Sequence, residues 1–87
     1  MKKVDFRKIT LKNVEGEEMN VDFSKQLGNQ MYMQGQNIEE CELGKRMYFD
    51  GEVEMNEKDI EVVKRFVAGY PYVSRTAVMD AIDKARS

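Results

Sequence analysis

Two short segments near the start of the chain alternate between apolar and polar residues. In 8–12 every second residue is apolar, and the same alternation recurs in 19–23. Such alternation places the apolar side chains of a strand on one face. Gly16, in the polar stretch between the two segments, can adopt the positive φ of a tight turn. The pattern predicts a β-hairpin whose apolar face must be covered, because an isolated hairpin is marginally stable in water.

The periodicity then changes to that of helices. A helix is predicted over 24–34, where Leu27 and Met31 lie on one side and Ser24 is the expected N-cap. A second helix is predicted over 37–49, because it begins with an Asn followed three residues later by Glu, the spacing of a capping box. The Asp-Gly pair that follows is expected to end it.

Each of these two helices contains a Leu-Gly pair, at 27–28 and at 43–44. A glycine inside a helix costs about 1 kcal/mol relative to alanine. We therefore expect both glycines to lie where helices pack closely together. The chain also has seven methionines, which suit either core filling or an adaptable binding groove.

The last third of the chain predicts a short strand and two more helices. Segment 52–55 alternates in the manner of a strand. Asn56 and Asp59 have capping-box spacing for a third helix, which is expected to end at Gly69. Ser74 is the expected N-cap of the last helix, after an extended or turned segment around the single proline. The order of elements predicts one small α+β domain over residues 1–87: an N-terminal β-hairpin packed against three or four short helices.

Composition restricts the chemistry that the chain can perform. The 87 residues include no His and one Cys, Cys41, so neither a Ser-His or Cys-His pair nor a His-ligated metal site can form. Three glutamates flank Cys41 and oppose thiolate formation, which favours the role of a buried or half-buried small apolar residue. Glycine-rich phosphate loops and calcium-loop spacing are absent. We expect no enzyme activity, no cofactor and no metal.

Charge and hydropathy bear on location and partners. The formal net charge is −2, and an acidic middle, 37–55, lies between two slightly basic flanks. This balance argues against extensive nucleic-acid binding that is independent of sequence. Charged residues interrupt any signal-like apolar run near the start, and no stretch has the ~20 apolar residues of a membrane span. We expect a cytoplasmic protein without membrane contact.

Two features of the C-terminal helices indicate an interaction surface. Tyr70 and Tyr72 lie beside Arg75, an arrangement that suits an exposed contact site as well as a packed loop. The two helices within 57–86 also resemble a helix-turn-helix, in which polar residues at the start of the second helix read DNA. The long connection and the aspartates of the last helix weaken this interpretation. The candidate surface comprises Lys64, Arg65, Tyr70, Tyr72, Arg75 and Thr76.

The segments ITLKNVEGEEMNVDFSKQLGNQMY and ELGKRMYFDGEVEMNEKDIEVVKRFV together resemble small proteins encoded by phages, prophages and mobile elements of gut bacteria. The resemblance implies a bacterial or phage origin and an accessory role, and it assigns no functional residue. We therefore expect a non-enzymatic accessory or assembly protein that acts through protein–protein contacts or self-association. The alternative is a small DNA-binding regulator that uses the helices within 57–86.

Overall fold

The computed structural model describes residues 2–86. Its secondary structure comprises four strands and four helices within those residues. In chain order these are β1 (Lys2–Asp5), β2 (Ile9–Lys12), β3 (Glu18–Val21), α1 (Ser24–Gln34), α2 (Ile38–Asp50), β4 (Glu52–Met55), α3 (Glu57–Val67) and α4 (Tyr72–Arg86). The predicted α+β class is confirmed, with helices following an N-terminal hairpin.

The strands form two separate antiparallel pairs. β2 and β3 make the predicted hairpin, with Ile9 opposite Val21, and Gly16 in its turn has a φ of +86°. β4 confirms the strand predicted over 52–55, and it pairs with β1, placing Val4 opposite Val53. β1 was not predicted from the sequence, because it is only four residues long and its partner lies far along the chain.

Helices α1 and α2 cross at the two glycines that the sequence singles out. A Cβ atom built on Gly44 would lie 2.6 Å from the carbonyl oxygen of Gly28 and 2.7 Å from the amide nitrogen of Tyr32. A Cβ on Gly28 would lie 2.7 Å from the carbonyl oxygen of Gly44. The two backbones are therefore in direct contact, and the prediction of close packing at the Leu-Gly pairs is confirmed.

The predicted helix starts are only partly correct. Asn37 and Asn56 cap α2 and α3, since their side chains accept hydrogen bonds from the backbone three residues on, and Asn56 forms a full capping box with Asp59. Ser24 does not cap α1. It is the first helical residue, and its amide and hydroxyl both donate to Asp22 Oδ1, at 2.8 and 2.6 Å. Hydrogen bonding to Ser24 also lowers the pKa of Asp22.

Helix α4 begins earlier than predicted. Its first residue is Tyr72, and the amide of Arg75 donates to the carbonyl of Pro71, at 2.9 Å. The predicted cap, Ser74, is therefore inside the helix, and Tyr72 is helical, not extended. Proline is compatible with this start because its missing N–H would have had no helical partner. The connection from α3 to α4 is four residues long, shorter than the sequence suggested.

The hydrophobic core is contributed by every element except β3, which is more exposed. α4 lies against β1 and β2, and α3 packs against α1, α2, α4 and β4. The largest fully buried side chains are Phe6, Ile9, Leu27, Met31, Leu43, Met47, Met55, Ile60, Val63, Val67, Val78 and Ile82. Three of the seven methionines, Met31, Met47 and Met55, fill the core. Met33 is exposed.

Candidate interaction surface

The start of α4 carries the most accessible part of the predicted surface. The Tyr72 side chain is 70% exposed, and the Arg75 guanidinium lies 5.5 Å from the centre of its ring. Arg75 also donates to the carbonyl of Ala68, at 3.4 Å. The Thr76 hydroxyl donates back to its own helix, to the carbonyls of Tyr72 and Val73. Tyr72 and Arg75 therefore form an ordered stack, and Thr76 is already partnered.

Tyr70 faces inward from this stack. Its ring lies 6.1 Å from that of Phe23, and its hydroxyl donates to Gln30 Oε1, at 3.1 Å. Burial raises the pKa of the Tyr70 hydroxyl. The residue ties the α3–α4 connection to α1 and contributes little accessible surface.

Lys64 and Arg65 on α3 are already engaged in ion pairs. Lys64 lies 3.5 Å from Glu61 on the same helix. Arg65 donates to Glu40 on α2, a residue that is only 7% exposed. Glu40 also accepts from the amide of Gln36 at 3.1 Å. These hydrogen bonds, first that from Gln36 and then that from Arg65, lower the pKa of Glu40. Arg65 therefore links α3 to the start of α2.

A concavity lined by the described residues was not anticipated from the sequence. A groove of about 700 Å³ runs along α4, between this helix and strands β1 and β2. One face of α4 lines it, with every third or fourth residue from Val73 to Ala85 taking part. Thr76 is the one member of the predicted surface that lines it. We call this feature the α4 groove.

Open strand edges form the other side of the α4 groove. Residues 3–5 of β1 and 10–12 of β2 line it consecutively. Successive side chains of a strand point to opposite faces, so a run of three lining residues indicates that the strand edge borders the groove. Within residues 2–86, β1 pairs only with β4 and β2 only with β3. Each strand thus leaves one edge without a strand partner.

Lysines are the most frequent charged residues around the α4 groove. Lys3, Lys8, Lys12 and Lys84 line it, and none of them forms an ion pair within the described part of the chain. Three carboxyl groups also line it, those of Asp5, Glu18 and Asp80. The Asp5 carboxyl is neutralised by Arg7, whose Nε lies 3.0 Å from Asp5 Oδ1. The hydrogen bond from Arg7 lowers the pKa of that carboxyl.

A smaller aromatic hollow of about 340 Å³ lies beside the α1–α2 crossing. Tyr32, Tyr48 and Phe49 line it, and the first and last of these are 51% and 70% exposed. Lys25 closes one side of Tyr48, with its Nζ 4.2 Å from the ring centre and 2.9 Å from the carbonyl oxygen. The hollow is a second accessible concavity, and aromatic rings form much of its lining.

Cys41 is half-buried, with its Sγ 4.0 Å from the carbonyl oxygen of Gly35. This placement agrees with the small apolar role expected for it. Among residues 2–86 there is no group of three or more Cys, Asp or Glu side chains arranged to hold a metal ion. Over the same residues, no helix has the length and apolarity needed to cross a membrane.

Comparisons of the chain with protein-family models, with curated proteins and with solved structures find no significant match.

Proposed function

We propose that this chain is a non-catalytic binding protein that acts through contacts with another protein, and that the α4 groove is its contact surface. The observation that carries the proposal is the pair of open strand edges beside a groove of about 700 Å³. An open edge offers unpaired backbone donors and acceptors, to which an extended segment can add as a further strand.

The proposal extends to the setting of the protein. Its resemblance to phage and mobile-element proteins supports an accessory or assembly role, which needs a contact surface and no catalytic residue. A single unpaired thiol, Cys41, supports a cytoplasmic location, where thiols stay reduced.

Selection from a ribosome-displayed library of random peptides tests this function. Peptides should be enriched on the wild-type chain and not on Asp80→Trp, because Asp80 lies midway along the groove-lining face of α4 and a tryptophan there would fill the groove. Asp83→Trp is the matched control, since Asp83 is exposed on the same helix and does not line the groove. Absence of enrichment on the wild type, or equal enrichment on Asp80→Trp, would contradict the proposal.

A DNA-binding regulator is the second candidate. The four-residue connection between α3 and α4 favours it, because helix-turn-helix motifs have turns of about three or four residues. Exposed Tyr72 and half-buried Arg75 at the start of α4 would be the contacts. A gel-shift titration at two salt concentrations is the test, because phosphate contacts weaken as salt rises. A salt-sensitive shift that Arg75→Gln abolishes would support this candidate, and no shift would remove it.

A further inference from the structure

We infer that the α4 groove binds an extended acidic segment of a partner protein, about five or six residues long, as an added strand. The inference rests on the proposed function and names the chemistry of the segment that the groove would take. Length, backbone pairing and charge each contribute to it.

The length of the groove matches a short strand. Its α4 wall extends from Val73 to Ala85, which corresponds to roughly 18 Å at the rise of an α-helix. An extended segment of five or six residues spans about 17–20 Å. A longer segment would project beyond the ends of the groove.

Backbone pairing gives such a segment its orientation. The edges of β1 and β2 that border the groove have no strand partner in residues 2–86. A segment that lies along either edge gains main-chain hydrogen bonds that do not depend on its sequence. Specificity must then come from the side chains around the groove.

Those side chains favour an acidic partner. Lys3, Lys8, Lys12 and Lys84 bring four positive charges that no ion pair within the described residues neutralises. The negative charges that oppose them are those of Glu18 and Asp80. The third carboxyl, that of Asp5, is already paired with Arg7. The groove therefore has a surplus of positive charge, although the whole chain carries −2.

The groove suits a protein strand better than a nucleic acid. Single-stranded nucleic acids are bound by basic grooves that also provide aromatic rings for base stacking. No aromatic side chain lines this groove among the described residues. Glu18 and Asp80 would also repel a phosphate backbone, whereas spaced carboxylates on a strand can avoid them.

Fluorescence anisotropy with labelled hexapeptides tests the inference. The probe is an alternating Val-Glu peptide, compared with Val-Gln and Val-Lys versions and with a Val-Glu version that is N-methylated at alternate residues. We expect the acidic peptide to bind roughly 10-fold more tightly than the neutral one, as expected for a few exposed ion pairs. N-methylation should abolish binding, because it removes backbone donors and blocks strand pairing.

A double variant, Lys12→Gln with Lys84→Gln, should weaken binding of the acidic peptide by roughly 10-fold. Its matched control is Lys45→Gln with Arg46→Gln, which removes two exposed positive charges from α2, outside the groove, and should leave binding unchanged. Raising NaCl from about 20 to about 300 mM should weaken binding of the acidic peptide and leave binding of the neutral peptide unchanged.

The outcomes separate this inference from the proposed function. Equal binding of acidic and neutral peptides overturns the acidic specificity and leaves the protein-binding function intact. If no hexapeptide binds and the random library also yields nothing, both are overturned. Preference for a DNA oligonucleotide over the acidic peptide overturns the inference in favour of nucleic acid. A dimer that is lost in Glu15→Gln with Glu17→Gln overturns it in favour of a second copy, whose exposed hairpin turn carries these carboxylates.

Discussion

The α1–α2 crossing and the α4 groove both depend on small residues, yet one is closed and the other is open. At the crossing, Gly28 faces Gly44, and the two backbones touch. Along α4, Ala77, Ala81 and Ala85 face strand edges and lysines that do not fill the space, and a groove of about 700 Å³ is left. Small residues on one helix thus give close packing at the crossing because the facing helix also presents a glycine.

The same contrast extends to the charges. In the first turn of α2, Glu40 is buried, and its Oε1 accepts hydrogen bonds from the amide of Gln36 and from Arg65. Around the groove, the lysines have no ion-pair partner within residues 2–86. We therefore expect the first region to contribute to stability and the second to tolerate substitution. Substitutions in the two regions should differ accordingly.

The largest effect is expected for Gly44→Ala. The new Cβ would lie 2.6 Å from a backbone oxygen of α1, which cannot move without separating the helices. Overpacking of this kind outweighs the gain in helix propensity, and we expect a loss of about 2 kcal/mol or more in the free energy of unfolding. Urea denaturation followed by circular dichroism measures it.

Gly69→Ala is the control for this substitution, because no atom other than those of Gly69 and its two chain neighbours lies within 4 Å of the position that its Cβ would occupy. This substitution should change the free energy of unfolding by no more than about 0.5 kcal/mol. If both variants unfold at the same urea concentration, the crossing is looser than the structure indicates.

A smaller effect is expected for Glu40→Gln, and it should depend on pH. The pKa of Glu40 is lowered in the folded chain, so its stabilising contribution is complete above the ordinary carboxyl pKa of 4.5. That contribution is lost as the pH falls through the lowered value. The wild type should therefore lose more stability on acidification than Glu40→Gln.

Asp5 and Asp22 also have lowered pKa values, so the variant should retain part of the acid sensitivity. Glu42→Gln, at an exposed neighbouring position, is the control and should follow the wild-type curve. Urea midpoints measured at several pH values provide the comparison. Parallel curves for wild type and Glu40→Gln would show that this carboxyl does not stabilise the fold.

Ala81→Leu should have little effect on stability, although it adds more atoms than Gly44→Ala. The added atoms enter the open groove, so the free energy of unfolding should change by about 0.5 kcal/mol or less. The same variant should weaken binding of the acidic hexapeptide. A loss of stability equal to that of Gly44→Ala would mean that the groove closes in solution.

The smallest effect on stability is expected for Lys12→Gln with Lys84→Gln. Neither lysine forms an ion pair within the described residues, and exposed substitutions of this kind usually stay within about 0.5 kcal/mol. Thermal unfolding of the double variant should therefore overlay that of the wild type. A clear destabilisation would show that these charges serve the fold and would weaken their assignment to binding.

Local patterns in the sequence determined much of the fold. Alternation predicted the β2–β3 hairpin and β4, and capping chemistry at Asn37 and Asn56 located the starts of α2 and α3. The glycine crossing was also predictable, because a glycine inside a helix has a cost that close packing explains. These features depend on residues within a few positions of one another.

The predicted N-caps of α1 and α4 were wrong because a neighbouring residue, Asp22 or Pro71, determines where each helix begins. Ser24 and Ser74 are both good caps by residue type. However, the Asp22 carboxylate accepts the hydrogen bonds at the start of α1, and α4 begins directly after Pro71. The candidate surface predicted at the C-terminal helices coincides with the α4 groove only at Thr76. Tyr72 is exposed and Arg75, which lies against its ring, is half-buried. The partner of Arg65, Glu40, lies 25 positions away along the chain.

Tertiary structure alone decided the rest. β1 exists because β4 lies beside it, and no pattern within its four residues specifies a partner some fifty positions away. The α4 groove is a space that remains because α4 does not pack closely against the edges of β1 and β2 along its whole length. Its lysines come from β1, the following turn, β2 and α4. Sequence determined which elements form, because hydrogen bonding and side-chain periodicity are local. Only the packing of all elements determined which strand edges stayed open and which charges lie beside them.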